Sequence, residues 1–116
     1  MAAFLIVDPD RAFREALAIA LRLDGHDALG ASSVDDARER ISAARFDCCI
    51  VDAHLAEADA LLETAAASGM RAVATGRYAD LLAAAAARHP SARALLKPFR
   101  AADLAALADG PGAVAR

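Results

Sequence analysis

The sequence predicts an α/β domain in which five parallel strands alternate with five helices and one sheet is covered on both faces. Three short apolar runs end on a charged residue. Phe4-Leu5-Ile6-Val7 leads into Asp8, Phe46-Asp47-Cys48-Cys49-Ile50-Val51 into Asp52, and Ala94-Leu95-Leu96 into Lys97-Pro98. Near-continuous apolar runs of this length read as strands buried on both faces. Between them lie alanine-rich stretches that favour helix, and strict strand–helix alternation implies a doubly wound parallel sheet with right-handed crossovers.

Each element has its own reason. Residues 4–7 form the first strand, and Asp8-Pro9-Asp10 is a breaker-rich loop. Over residues 11–23, Phe13, Leu17, Ala20 and Leu21 recur at helical spacing, with Gly25 as the stop. A weaker strand is expected over 27–31. Ser32 or Ser33 caps the next helix, which runs to residue 44 and carries Asp35 and Asp36 in its first turn, where the macrodipole favours negative charge.

The central strand spans 46–51, and a loop leads to a third helix over 59–67, closed by Gly69. Residues 71–74 form the fourth strand, ending at Thr75-Gly76. A fourth helix over 78–88 stops at His89-Pro90. The fifth strand covers 93–96 and the last helix 101–108. The tail 109–116, with Gly110-Pro111-Gly112, is expected to be loosely ordered, so residues 1–108 constitute the domain.

Bulk properties exclude several classes. At 116 residues the chain suits one domain with a real core and no metal or disulfide staples. A net charge of −3 with interspersed signs lacks the footprint of a nucleic-acid binder. Cys48 and Cys49 are adjacent inside an apolar strand, so they read as buried small hydrophobes in a reducing cytosol. No charged leader and no apolar run of about 20 residues is present, which predicts a cytoplasmic protein without a membrane anchor.

In such a sheet the C-terminal strand ends share one rim, and ligands bind there. Asp8, Asp10, Asp52, Thr75 and Lys97 are therefore expected to be neighbours. Hard carboxylate oxygens suit Mg²⁺, a lysine suits a phosphoryl oxygen, and a threonine hydroxyl suits another. That set fits attack by a carboxylate on phosphorus to give an aspartyl-phosphate.

Val7-Asp8, Val51-Asp52, Thr75-Gly76 and Leu96-Lys97-Pro98-Phe99 resemble the signature of bacterial response-regulator receiver domains, the CheY-like fold, over residues 4 to 108. The resemblance implies a flavodoxin-like strand order 2-1-3-4-5. It implies that Asp52 accepts a phosphoryl group from a histidine kinase or phosphotransfer protein. Asp8, Asp52 and the carbonyl of His54 would hold Mg²⁺, Thr75 and Lys97 would bind phosphoryl oxygens, and Lys97-Pro98 would be cis. A downstream effector protein would read the result, and the domain would be no enzyme beyond its own phosphorylation and dephosphorylation.

The sequence departs from that pattern in four places. Pro9 stands where the family has a second metal-binding acid, which weakens the Mg²⁺ site; Asp10 is either a substitute ligand or the N-cap of the first helix. Ala94 replaces the aromatic that commonly swings inward on phosphorylation. The segment from Asp52 to Thr75 is short, and Ala56 replaces a common proline. Pro9 and Ala94 favour the alternative of a degenerate receiver that docks partners without phosphorylation. A flavodoxin-like ligand binder or small enzyme would call for a phosphate-binding glycine loop, which the chain lacks.

The residues also have simpler readings. Asp52 and Lys97 could form a purely structural ion pair, Asp8 could cap a helix, and Thr75 could end a strand. The imidazole of His54 is expected to be idle in solvent, His26 and His89 solvated beside helix stops, and Tyr78 a surface aromatic.

Overall fold

Alternation of β1 (Ala3–Val7), α1 (Arg11–Leu23), β2 (Asp27–Ala31), α2 (Val34–Ala43), β3 (Cys48–Asp52), α3 (Ala58–Ala67), β4 (Arg71–Gly76), α4 (Ala79–Arg88), β5 (Arg93–Leu96) and α5 (Ala101–Asp109) runs through the computed structural model, which describes residues 2–109. The strands form one parallel sheet in the order β2-β1-β3-β4-β5. Both the fold class and the strand order agree with the expectation from sequence. Residues 110–116, the greater part of the expected tail, lie outside the described residues; Asp109 ends α5.

The period-two alternation of strand side chains divides the core into two layers. Leu5, Val7, Cys49, Val51, Ala72 and Ala74 face α2, α3 and α4, meeting Val34, Leu61, Leu62 and Leu82. Phe4, Ile6, Cys48, Ile50 and Val73 face α1 and α5, meeting Leu17, Leu21 and Leu104. All five residues of β3 are buried, whereas β5 alternates between half-buried and exposed. Burying each large aliphatic is worth about 1.5–3 kcal/mol, so the three central strands anchor the sheet and the β5 edge contributes less.

Local chemistry sets the boundaries. Ser33 caps α2 by accepting from the Asp36 amide, and Gly25 and Gly69 adopt positive φ after α1 and α3. β3 starts two residues later than the apolar run suggested; Asp47 precedes it, and its carboxylate accepts from the Ala3 amide of the neighbouring β1 at 2.7 Å. α3 starts one residue early, entered through Glu57 in the left-handed region at φ 64°. β4 extends through Thr75 to Gly76, placing Thr75 inside the sheet.

Two histidines depart from expectation. His89 is buried at 7% exposure: as the C-cap of α4 it pairs with Asp59 in the first turn of α3, its Nε2 2.7 Å from Asp59 Oδ1. His26 is half-buried: its Nδ1 accepts from the Ala2 amide, and its ring meets Phe4 edge-on. Among the described residues no helix is long and apolar enough to cross a membrane.

Candidate functional site: the acidic rim

Register explains why the charged residues converge. Val7 pairs with Val51, so Asp8 and the strand-end Asp52 leave the sheet side by side; Asp52 pairs with Thr75. Gly76 pairs with Leu96, and the Lys97 amide donates to the Gly76 carbonyl, which brings Lys97 to the same edge. Asp8, Asp52 and Thr75 are 1%, 7% and 0% exposed.

Lys97 Nζ lies 2.6 Å from Asp8 Oδ2 and 3.6 Å from Asp52 Oδ2. One ammonium thus faces two buried carboxylates, an arrangement with excess negative charge. The other oxygens are held by the backbone: Asp8 Oδ1 accepts from the Asp10 amide at 2.8 Å, and Asp52 Oδ1 from the His54 amide at 2.9 Å. Asp52 Oδ2 therefore faces Lys97 rather than the backbone. The Thr75 hydroxyl donates to the Val51 carbonyl at 3.4 Å, a long bond that is easily surrendered. The Lys97-Pro98 peptide is cis.

Asp10 does not join the carboxylates. Its side chain is exposed and accepts from the Phe13 amide at 3.2 Å, capping α1, so the N-cap reading describes its place. His54 is exposed, as expected, yet its ring is not idle: it packs edge-on against Tyr78, with centroids 5.7 Å apart. Tyr78 is itself 58% exposed, a surface aromatic. Ala94 is exposed on the edge strand. Below the rim, burial pushes the Cys49 thiol up to about 12, so it is inert as a nucleophile at neutral pH.

Asp8, Asp52 and the His54 carbonyl are hard oxygens, and two carboxylates with waters suffice for Mg²⁺. Among the described residues no group of three or more His, Cys, Asp or Glu side chains could hold a metal ion, so the fit rests on those two carboxylates and the His54 carbonyl.

Sequence reasoning missed two neighbours. Arg14 Nη1 donates to the Asp8 carbonyl at 2.7 Å, bracing the loop, and its stem lies over Gly30, where a Cβ would come within 3.3 Å of Arg14 Cδ. Phe13 lies under Lys97, with Nζ 4.3 Å from its ring centroid, and meets Phe99 edge-on at 5.6 Å. Helical spacing marked Phe13 as a core position; nothing in it distinguishes a ring that faces a lysine.

No protein-family model matches the chain, and no curated protein is similar to it in sequence. Solved structures are similar. A CheY-like receiver domain from Methylobacillus flagellatus is 25% identical, with 90% of this chain and 92% of that one covered at a TM-score of 0.75. A receiver domain from Clostridium thermocellum is 23% identical, with 93% and 91% covered and a TM-score of 0.79. A response regulator from Burkholderia pseudomallei, solved with a phosphorylated aspartic acid, a calcium ion and citrate, is 24% identical over 91% of this chain and 65% of that one, with a TM-score of 0.79. Strand order, strand-end chemistry and these likenesses agree: the chain has the fold of the CheY-like response-regulator receiver domains.

Proposed function

We propose that the chain is a cytoplasmic receiver that accepts a phosphoryl group on Asp52 from a histidine kinase or phosphotransfer protein and signals through a downstream effector protein. The reading is carried by the meeting of Asp8, Asp52 and Lys97, from three different strand ends, within 3.6 Å of one nitrogen.

In this reading Asp52 Oδ2 attacks phosphorus while the bond to the donor opens on the far side. Lys97 shifts from Asp8 toward a phosphoryl oxygen, where it acts as a point charge, and the Thr75 hydroxyl turns from Val51 to donate to another. Asp8, Asp52 and the His54 carbonyl would hold Mg²⁺, which when bound neutralises charge on the phosphoryl oxygens. Pro9 leaves that site one carboxylate poorer, and weak Mg²⁺ affinity follows. With Ala94 in place of an aromatic, the change passes to the surface of α4, β5 and α5 by some route other than a swinging ring.

A second reading, a receiver that docks partners without phosphorylation, is favoured by Pro9 and by Asp10 spending its carboxylate on the α1 cap. Incubation with Mg²⁺ and acetyl phosphate, followed by intact-mass measurement, separates the two. The expected result is one added phosphoryl group, absent in Asp52→Asn. No adduct across a Mg²⁺ titration overturns the phosphoacceptor reading in favour of the docking module.

A further inference from the structure

β2 is the outer strand beside β1, so one side of its backbone has no strand partner. The Asp27 amide donates to the Ala2 carbonyl and the Asp8 amide to the Ala31 carbonyl. Alternate residues of a parallel strand face the same neighbour, so residues 27, 29 and 31 face β1, while Ala28 and Gly30 turn their N–H and C=O groups outward. One of these groups is taken by a side chain: Arg22 Nη2 donates to the Ala28 carbonyl at 2.6 Å. A guanidinium stands where the amide of a further strand would be.

Two cavities flank this edge. One, of about 420 Å³, is lined by Arg14, Glu15, Ala18, Ile19, Arg22 and Gly30; the other, of about 410 Å³, shares Arg22 and reaches Asp27, Leu29, Arg45 and Phe46. Arg14, Arg22 and Arg45 are in no ion pair among the described residues, and Glu15 is engaged by Arg11. Three cations thus stand against the carboxylate of Asp27, on a chain whose net charge is −3. Ile19 and Leu29 are 56% and 40% exposed, one aliphatic side chain in each cavity.

We propose that the β2 edge docks an extended acidic segment of a partner protein as a sixth strand, with Arg14, Arg22 and Arg45 facing its carboxylates. The added strand gains backbone hydrogen bonds at Ala28 and Gly30, and its side chains alternate between the two faces, so both cavities receive them. Arg22 yields the Ala28 carbonyl to the incoming amide and turns to a carboxylate, a charge-assisted and stronger partner. This edge is the opposite one from β5, so docking here does not depend on phosphorylation of Asp52.

The probe is a capped hexapeptide of alternating glutamate and valine, titrated into the full chain while amide hydrogen exchange is followed by NMR. The expected result is saturable binding in which the Ala28 and Gly30 amides gain protection and the β5 amides do not. Exchanging the glutamates for lysines, or methylating every peptide nitrogen, should abolish it. Arg45→Ala should weaken binding about two- to fivefold, the size of an exposed ion pair, by a factor that shrinks with added salt; Arg45→Glu should weaken it further. Asp52→Asn should bind as the unaltered chain does. Absence of binding, or binding that leaves Ala28 and Gly30 unprotected or survives methylation, overturns strand addition. Equal binding of the lysine peptide overturns recognition of acidic side chains. Protection of both amides that rises with chain concentration without any peptide overturns the proposal in favour of a second copy on the same edge.

Discussion

Among the described residues, two of the ion clusters that join distant parts of this chain are built with opposite balance. On the rim, one cation, Lys97, serves two buried carboxylates, Asp8 and Asp52. Between α3 and α4, two basic side chains, Arg88 and His89, serve one carboxylate, Asp59, which is 54% exposed. The second cluster is a clamp whose carboxylate and guanidinium are half exposed to solvent, with the His89 ring buried beside them. The first carries uncompensated negative charge out of water, which costs stability and persists where it is used. The difference teaches where to look for chemistry: the number of ion pairs says little, and the residual charge in a buried place says more.

Removing the shared cation is the severest way to break the contrast. Lys97→Met leaves two buried carboxylates facing each other, and truncating one partner of such a buried set costs about 3–5 kcal/mol. The midpoint of urea unfolding should fall by a matching amount at constant slope. A loss as small as that of a surface lysine would mean that the rim is better solvated than its burial implies.

Removing one of the two carboxylates sharpens the contrast, because the sign reverses. Asp52→Asn keeps an oxygen to accept from the His54 amide and leaves Lys97 with its closer partner Asp8. Relief of the like-charge pair should raise stability by about 1 kcal/mol, even as phosphorylation is abolished. Destabilisation by Asp52→Asn would show the rim to be a structural ion network instead of a site held at a cost.

The same contrast explains what the sequence revealed and what it hid. Asp8, Asp52, Thr75 and Lys97 were legible because each follows a short apolar run, and strand ends in a parallel sheet have only one place to meet. The order of the strands was legible only through the Lys-Pro-Phe and strand-end acid motifs, since an alternating pattern fits more than one winding. Asp10 is ambiguous in the sequence, because an acid after a strand serves a cap and a metal equally well; only its bond from the Phe13 amide places it as a cap. The clamp was invisible: His89 stands beside a helix stop, where histidines are ordinarily solvated, and its partner is 30 positions away. Side-chain pairs across two helices leave no periodic trace.

The smallest expected effect lies in the clamp, and its pH dependence distinguishes it from the rim. The hydrogen bond from His89, ahead of the pairing with Arg88, holds the Asp59 carboxyl below its ordinary 3.8. A carboxylate whose pKa is lower in the folded state contributes its full stability above the unfolded value and loses it as pH falls through the folded one, because the unfolded chain takes up the proton first. With Asp59 half exposed, that contribution is under about 1 kcal/mol. Asp59→Asn should therefore lower stability slightly at neutral pH, and the gap to the unaltered chain should close in acid, below pH 3.8. Added salt should narrow the same gap, since solvent screens exposed pairs, while leaving the cost of Lys97→Met nearly unchanged. A gap that persists in strong acid would assign the clamp's contribution to packing of the buried His89 ring rather than to its charge.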